Sequence, residues 1–348
     1  MKIIYVGDLQ NGATSAMRMR HLQNIGHQVW GIDTIGAART DSTFSRGVSK
    51  IAWRLGWPLD LSNINAQLVA LVKEVLPDIV WVDKGILVRR ETLLRIRQST
   101  PNVRLVHYNP DDPFGAYGKA GWRRFLRAMS VYDVHFVPRY QNIQEYKAAG
   151  CRHVIHNIPT RGFDPEVHRP HPFEAEFAGQ FAADVGFLGS FEQDRAEQLL
   201  YLAQRGVTVR LASTWPAHHR HENLCRAPFP VVGVEYAKAL CGFKIGLCFL
   251  RKANRDQHTS RSIEIPACGT FLLAERTDEH QQLFEEGKEA EFFASADEMN
   301  DKVRFYLAHD EIRKKLASAG LVRCIRSRYS YSDRLKLMIQ QIKDILEF

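Results

Sequence analysis

The chain has 348 residues, which at roughly 150 residues per domain predicts about two domains. Hydrophobic residues make up 45% of it and charged residues 25%, which excludes a disordered chain, a collagen-like chain and a disulfide-rich miniprotein. No apolar run approaches the roughly 18 residues of a membrane span, and the first apolar stretch is too short for a signal peptide. We therefore expect a cytoplasmic protein.

The six cysteines form no CxxC pair. We expect reduced thiols, and neither a disulfide framework nor a structural zinc site.

Charge is distributed unevenly along the chain. Residues 1–160 hold 21 basic and 12 acidic side chains, residues 161–312 hold 17 and 24, and residues 313–348 hold 9 and 3. This asymmetry indicates an acidic partner, such as anionic lipid, a phosphorylated acceptor or nucleic acid. The alternative is chance clustering on a solvated surface.

In the first half, short apolar runs alternate with helical patterns. The runs lack a polar face, as in parallel strands that are buried on both sides. The predicted strands are Lys2–Val6, Gln28–Asp33, Asp78–Asp83, Val103–Tyr108, Tyr132–Val137 and His153–Asn157, and the helices include Ala13–Ile25, Ile64–Leu76 and Arg139–Ala149. This order predicts a doubly wound α/β sheet with ligands at the carboxyl ends of its strands.

A proline-rich stretch without periodicity ends this pattern and is interpreted as an interdomain linker. A second series follows, with predicted strands Asp184–Leu188, Val207–Ala212, Lys244–Phe249, Thr270–Ala274 and Ala290–Phe293, and helices Gln193–Arg205, Tyr236–Leu240, Ser262–Cys268 and Ala296–Leu307. Residues 310–347 are helical in pattern, with a break near Tyr329.

The loop after the first predicted strand contains Gly7 and Gly12 and leads into a helix. Glycine lets a ligand approach the backbone, and a helix N-terminus offers free N–H groups to a phosphate. Gly12 is therefore a candidate binding residue. The pattern is neither GxGxxG nor a loop ending in GK[ST], which argues against a nicotinamide enzyme, and a simple tight turn is the alternative.

Residues 256–273, with the sequence DQHTSRSIEIPACGTFLL, carry a sharper motif. Because proline is tolerated in the first turn of a helix, Pro266 predicts a helix that begins near Ser262, has Glu264 in its first turn and ends at Gly269. A carboxylate there is favoured by the helix dipole and can accept hydrogen bonds from paired ribose hydroxyls. The alternative is a glutamate placed for the dipole alone.

An ordered series of short motifs runs over residues 184–335. It contains GFLGS at 186–190, RSIEIPACG at 261–269, LFEEGKEAEFF at 283–293, DEM at 297–299 and IRKKLASAG at 312–320. In this order the chain resembles the group 1 glycosyltransferases of GT-B fold, specifically the spore-maturation-protein (CgeB)-like branch. The resemblance is thinner before residue 184.

The resemblance implies a GT-B fold with two doubly wound Rossmann-like domains facing across a cleft and a C-terminal helix crossing back to the first domain. It implies an acceptor-side domain at 1–160, a linker at 161–183, a nucleotide-sugar-binding domain at 184–328 and the returning helix at 329–348. We expect no cofactor and no metal.

In the wider group, two acidic residues spaced E-x7-E flank the donor. The second matches Glu264, which would bind the ribose hydroxyls, and the first falls on Asp256, a shorter carboxylate. Basic side chains would neutralise the diphosphate. The remaining predicted donor-binding residues are Arg195, Lys252, Arg261, Ser190 and Gly12.

The fourth predicted strand contains His107 and leads into Asp111 and Asp112. A carboxylate there could deprotonate an acceptor hydroxyl as general base, so these three residues are the catalytic candidates. Retaining enzymes of this fold can work without a separate base. The alternative is a turn, since Asn-Pro-Asp-Asp-Pro is strong turn chemistry.

Two segments combine basic and aromatic residues, RGVSKIAWRLGW at 46–57 and GWRRFLR at 121–127. Such segments can lie at a membrane interface, so we consider peripheral attachment to an anionic membrane, with ordinary surface helices as the alternative.

We predict a hexosyltransferase-like enzyme that moves a sugar from a nucleotide-sugar donor to a glycan, a lipid-linked glycan or another cell-surface component, as in polysaccharide biosynthesis. It would act in the cytoplasm, with peripheral attachment to the inner face of the membrane considered as above. Two alternatives stay open: a nucleotide-sugar epimerase or hydrolase of the same fold, and a non-catalytic protein that binds membrane or nucleic acid. No nucleic-acid motif is recognised, and no nucleic-acid partner is expected.

Overall fold

A computed structural model describes residues 1–35, 51–52, 55–115, 119–159, 161–172, 180–212, 215–216, 218–227 and 231–347. The chain divides into two compact units. The first comprises Met1–Thr160, Arg251–Asp256 and Tyr331–Phe348, and the second comprises Arg161–Leu250 and Gln257–Ser330. The described part of the predicted linker therefore groups with the second unit.

The first unit contains a sheet of six parallel strands. These are β1 (Lys2–Gly7), β2 (Gln28–Asp33), β3 (Ile79–Asp83), β4 (Arg104–Tyr108), β5 (Val134–Val137) and β6 (His153–His156). Its helices include α1 (Thr14–Asn24), α2 (Ile64–Val75), α3 (Arg90–Ser99), α4 (Arg123–Ala128) and α5 (Tyr140–Ala148). The strand order β2-β1-β3-β4-β5-β6 reverses direction between β1 and β3, where a doubly wound sheet binds its ligands.

The apolar runs form strands because both faces of the sheet are covered. All five residues of β3 are buried. Trp81 in its middle lies between the rings of Tyr5 and Phe136, with centroids 6.4 and 5.9 Å away. Because neither face of the strand is exposed to solvent, its sequence does not alternate between apolar and polar residues.

The last helix, α12 (Tyr331–Leu346), belongs to the first unit. Its buried residues recur every three or four positions, as on one face of an amphipathic helix. Leu335 and Ile339 share a core cluster with Ile3, Tyr5 and Met17. The predicted return of the C-terminal helix to the first domain is confirmed.

The second unit also contains six parallel strands. These are β7 (Ala183–Leu188), β8 (Val209–Ala212), β9 (Leu224–Arg226), β10 (Phe243–Cys248), β11 (Phe271–Glu275) and β12 (Glu291–Phe293). Its helices include α6 (Gln193–Gln204), α7 (Gly233–Cys241), α8 (Arg261–Ala267), α9 (Asp278–Leu283), α10 (Ala296–Ala308) and α11 (Asp310–Arg326). The strand order is β12-β11-β10-β7-β8-β9, with the reversal between β7 and β10.

Glycine is required where β7 and β10 meet. A Cβ atom built on Gly186 would lie 2.2 Å from the ring of Phe243, far inside van der Waals contact. A side chain at this position would push the two strands apart at the reversal of the sheet.

The predicted strands are all present, with ends within two residues of those expected. The three-residue strand β9 was not predicted, and neither were α3, α4 and α9. Of the predicted membrane segment 46–57, residues 46–50 and 53–54 lie outside the described residues.

The prediction for Pro266 is wrong. Pro266 lies near the end of α8, not in its first turn. The missing N–H removes one hydrogen bond from a helix that ends immediately afterwards, where the N–H of Cys268 donates to the carbonyl of Glu264 over 3.0 Å. Glu264 does lie in the first turn, as predicted.

A buried ion pair connects α1 to β3. Arg18, which is 3% exposed, donates from Nε to Asp83 Oδ2 over 3.0 Å, and the Tyr5 hydroxyl donates to the same oxygen over 2.7 Å. Burial opposes the charged form of Arg18, but its interactions with Asp83 and with three neighbouring tyrosines together outweigh burial and raise the pKa of Arg18 above its ordinary value. Arg18 therefore stays charged inside the unit.

Replacing Asp83 by alanine should leave Arg18 charged and buried without its partner. We expect a loss of about 3 to 5 kcal/mol in the free energy of unfolding, measured by urea denaturation. The double variant Arg18→Met/Asp83→Leu, which removes both charges, should recover most of this loss. If Asp83→Ala lowers the free energy of unfolding by less than about 1 kcal/mol, the ion pair does not stabilise the contact between α1 and β3.

Candidate functional site

A cavity of about 480 Å³ lies in the first unit, where its strand order reverses. It is lined by the ends of β1 and β3, the first turn of α1 and the loop after β3. The side chains that line it are largely apolar, with a few polar groups among them, and include Leu59, Leu61, Ile86, Leu87, Asp8, Thr14 and Lys84. A cavity of this size and composition can hold a small-molecule ligand.

Asp111 lies at the edge of this cavity. Its Oδ2 is 2.8 Å from Nζ of Lys84, and its Oδ1 accepts from Asn254 over 3.3 Å. Lys84 and Pro110, the residue before Asp111, both line the cavity. The carboxylate is only partly buried and lies next to these two lining residues.

Asp112 points into the protein and is 1% exposed. It accepts hydrogen bonds from Arg255 (2.6 Å), Asn142 (2.9 Å) and the N–H of Phe114 (3.0 Å). Burial would raise the pKa of Asp112, but these hydrogen bonds outweigh it and lower the pKa. The geometry favours a structural contact between the loop after β4 and the segment Arg251–Asp256.

His107 lies in the core of the first unit and is 0% exposed. Its ring stacks on Phe125 with centroids 4.5 Å apart, and its Nδ1 lies 3.1 Å from Nδ1 of His135. Burial lowers the pKa of His107 to about 3, so it is neutral at physiological pH. We leave it out of the mechanism proposed below, because no proton of a ligand can reach a side chain so enclosed.

Gly12 precedes α1 and has a φ of 81°, in the left-handed region that favours glycine. The following residues, Ala13 and Thr14, line the cavity. The structure therefore places Gly12 beside the cavity of the first unit.

Asp256 is buried and forms a short ion pair with Arg139, which is itself 2% exposed. Both residues belong to the first unit. The predicted donor contact of Asp256 would have to share the carboxylate with this guanidinium. Lys252 is exposed, in a 3-10 turn over Lys252–Asn254.

Glu264 is 5% exposed and is held by two aromatic side chains of the second unit. The hydroxyl of Tyr236 donates to its Oε2 over 2.9 Å, and Nε2 of His168 lies 3.8 Å from its Oε1. Burial lowers the pKa of His168, which keeps this imidazole neutral near pH 7. No hydrogen bond from the described residues reaches Oε1, so that oxygen can accept one from a ligand.

Two guanidinium groups flank Phe187 at the carboxyl end of β7. The Cζ atoms of Arg195 and Arg261 lie 6.0 and 5.6 Å from the ring centroid. Arg195 donates to the carbonyl of Ser190 over 3.2 Å, and Arg261 donates to the carbonyl of Phe249 over 3.3 Å. The two cations therefore lie near the carboxyl ends of β7 and β10, the two strands between which the strand order reverses.

The contacts of Glu264 were not predicted in full. His168 lies in the segment interpreted as a linker, and Tyr236 was noted only as the start of a helix. Phe187 belongs to the motif GFLGS at 186–190, but the motif does not indicate that its ring lies near two arginines. A cluster of a tyrosine, a histidine and a glutamate drawn from three distant segments leaves no local spacing signal.

Among the described residues, no group of three histidine, cysteine, aspartate or glutamate side chains could hold a metal ion. Within the same residues, no helix is long and apolar enough to cross a membrane.

Cys241, at the end of α7, contacts Cys268, which follows α8. Its sulfur donates to the carbonyl of Cys268 over 3.4 Å and accepts from the N–H of His171 over 3.4 Å. A hydrogen bond from the thiol of Cys268 lowers the pKa of Cys241 to about 7. This contact ties α7 to the end of the helix that carries Glu264.

One protein family matches part of the chain. Its model, described as glycosyl transferase-like, matches residues 194–340. The matched residues include Arg195, Arg261 and Glu264. No curated protein sequence matches the chain significantly.

Solved structures resemble the chain over its whole length. Alr3699/HepE from Anabaena, in complex with UDP, is 12% identical with a TM-score of 0.62, over 99% of this chain and 100% of that one. Sucrose-phosphate synthase from Thermosynechococcus elongatus is 12% identical with a TM-score of 0.67, over 100% and 99%. A glycosyltransferase from Rickettsia africae is 11% identical with a TM-score of 0.63, over 99% and 98%. At such identities the likeness shows the fold, and the chain has the predicted GT-B fold with two Rossmann-like units.

Alkylation of the native protein should single out Cys241. A thiol with a pKa of about 7 becomes a thiolate as the pH rises through 7, whereas burial raises the pKa of Cys151 and Cys324. We expect iodoacetamide to label Cys241 with a midpoint near pH 7, measured by peptide mass spectrometry, with Cys241→Ser as the control. Labelling of Cys241 only at pH 9 and above would contradict the contact with Cys268.

Proposed function

We propose that the protein is a glycosyltransferase that takes its sugar from a nucleotide-sugar donor bound by the second unit. The observation that carries this proposal is that Arg195 and Arg261 both lie near the ring of Phe187, with Glu264 three residues after Arg261 on the same helix α8. A diphosphate and a ribose are the groups that two guanidiniums and a carboxylate would bind together.

The two arginines would bind the diphosphate of the donor. As the bond to the sugar breaks, negative charge builds up on the departing phosphate, and guanidinium groups already in place stabilise it without rearranging. Phe187 and the carbonyls of Ser190 and Phe249 fix their positions. Because these cations supply the positive charge, the reaction is proposed to need no metal and no cofactor.

Glu264 would bind the ribose. Tyr236 occupies Oε2, which leaves Oε1 to accept a hydrogen bond from a ribose hydroxyl. A charge-assisted hydrogen bond in such a buried position is stronger than one in water.

Relatives of known ligand content support a uridine nucleotide as the first donor to test. Alr3699/HepE, which shares the fold, has been solved with UDP and with UDP-glucose. The glycosyl transferase-like family match covers the segment that would bind the donor.

The acceptor would bind in the cavity of the first unit. The cavity has a partly buried carboxylate at its edge, Asp111, whose charge is balanced by Lys84. Asp111 would take the proton of the acceptor hydroxyl as it attacks the sugar. The apolar lining fits an acceptor with an apolar portion, and we propose a lipid-linked glycan over a free sugar.

The finer predictions from the sequence belong to the same proposal. They are membership of the CgeB-like branch, a role in polysaccharide biosynthesis and a site of action at the cytoplasmic face of a membrane. A thermal-shift screen of nucleoside diphosphates and nucleotide sugars tests the donor, because a ligand that binds the folded state raises the melting temperature. Incubation with the identified donor alone then separates the alternatives, since an epimerase converts the donor without any acceptor.

Replacing Glu264 by glutamine should weaken UDP binding at least tenfold, about 1.4 kcal/mol, because the ribose loses a charged acceptor. Isothermal titration calorimetry with UDP measures this change. The matched control is Glu235→Gln, an exposed glutamate in the first turn of α7, which should bind UDP as the unchanged protein does. Equal affinity in both variants would remove Glu264 from the donor site.

Replacing Asp111 by asparagine should slow sugar transfer by about a hundredfold or more, because the acceptor proton loses its base. Donor affinity should stay unchanged, which initial rates and calorimetry on the same variant can establish. Asp301→Asn, at an exposed position of α10, serves as the control. A normal transfer rate in Asp111→Asn would favour a route in which no carboxylate of the first unit takes the proton.

A further inference from the structure

A second concave surface lies in the first unit, outside the proposed acceptor cavity. It encloses about 280 Å³ and is lined by Trp57, Arg89, Arg90, Arg124, Arg127 and Glu91. We call these residues without Glu91 the arginine–Trp57 surface. Arg90 lies at the start of α3, with Arg89 immediately before it, and Arg124 and Arg127 lie on α4. Two helices therefore bring four cations to one place.

An aromatic ring and main-chain carbonyls hold these arginines. The Cζ atom of Arg127 lies 4.7 Å from the ring centroid of Trp57, and that of Arg124 lies 5.9 Å from it. Arg124 also donates to the carbonyl of Pro58 over 2.6 Å, and Arg90 donates to the carbonyl of Arg127 over 3.3 Å. Stacking and carbonyl contacts position a guanidinium without neutralising it, and Glu91 adds one carboxylate against the four cations of this surface.

No carboxylate of the described residues forms an ion pair with any of the four arginines. Burial lowers the pKa of Arg124 and repulsion from Arg89 lowers it further, while the carboxylates of Asp60 and Glu91 raise it without offsetting the decrease. Four like charges held at one place at such a cost are typical of a surface that receives anions from outside.

The chain beside Trp57 is apolar and exposed. Ile51 and Leu55 are 60% and 59% exposed, and Trp57 is 40% exposed. Large apolar side chains next to arginines and a tryptophan are the composition of a membrane interface, where acyl chains meet charged headgroups. A soluble phosphate would need the arginines alone and would leave the apolar side chains without a partner.

We propose that the arginine–Trp57 surface, with the exposed apolar side chains of Ile51 and Leu55, binds the surface of an anionic lipid bilayer. Headgroup phosphates contact the four arginines, while Trp57, Ile51 and Leu55 reach the boundary of the acyl region. The excess of positive charge in residues 1–160 attracts the same surface over a longer range. This binding needs neither donor nor acceptor, so it stands or fails separately from the proposed sugar transfer.

The test is co-sedimentation of the full-length protein with vesicles of phosphatidylcholine alone and of phosphatidylcholine with phosphatidylglycerol. We expect binding to the anionic vesicles and little to the neutral ones. Equal binding to both, or binding to neither, would overturn the proposal.

Two double variants of equal net charge test the site itself. Arg89→Gln/Arg127→Gln removes two cations from the surface and should weaken vesicle binding roughly thirtyfold, since each cation is worth roughly a fivefold effect. Arg95→Gln/Arg123→Gln removes two exposed arginines of the same two helices that do not line the surface, and should weaken binding less than about threefold. Equal losses in the two variants would show attraction by net charge only and would overturn the assignment of the site.

Trp57→Ala tests the apolar part. It should weaken binding to anionic vesicles while the melting temperature stays close to that of the unchanged protein, since Trp57 is partly exposed. Inorganic phosphate and a short RNA are then added as competitors. Displacement from vesicles by inorganic phosphate at low ionic strength would identify a soluble-anion site, and preferential binding of RNA would identify a nucleic-acid surface; either result overturns the bilayer proposal.

Discussion

The strand order reverses once in each sheet, between β1 and β3 in the first unit and between β7 and β10 in the second. Connections leave in opposite directions on the two sides of such a reversal, so no connection covers the carboxyl ends of the strands there. In the first unit this opening is the cavity bounded by Arg18 and Asp83. In the second unit it holds the two guanidiniums beside Phe187. Both proposed ligand sites depend on this one topological constraint.

The acceptor cavity and the arginine–Trp57 surface of the first unit are formed by the same two chain segments. Pro58 and Leu59 line the acceptor cavity, and Trp57 beside them belongs to the arginine–Trp57 surface. In the same way, Val88 lines the cavity and the next residue, Arg89, belongs to the surface. Adjacent residues thus face an apolar cavity and a cationic surface.

The strands could be predicted because burial on both faces leaves a plain signal, a short run of apolar residues such as Ile79–Val82. The helices α3 and α4 carry many charges and could not be recognised as readily, although their arginines form the surface proposed to bind lipid. Pro266 shows a limit of local rules, because a helix only two turns long tolerates a proline that a longer helix would not.

Candidate residues were harder to rank than strands. The sequence offers His107, Asp111 and Asp112 as equal candidates. In the structure His107 is enclosed by aromatic rings, Asp112 is bound by Arg255, and Asp111 lies beside the cavity. Burial and distant partners decide between them, and neither can be read from neighbouring residues. The same holds for Glu264, whose contacts with Tyr236 and His168 span the second unit.

Because α12 completes the core of the first unit, that core cannot close until α12 has been synthesised. The apolar side chains of Ile3, Tyr5 and Met17 leave the ribosome before the second unit, and the helix that covers them leaves after it. The second unit lies almost wholly between these two segments and can fold while the first still waits. During translation the amino-terminal sheet therefore keeps one apolar side open until α12 has been made.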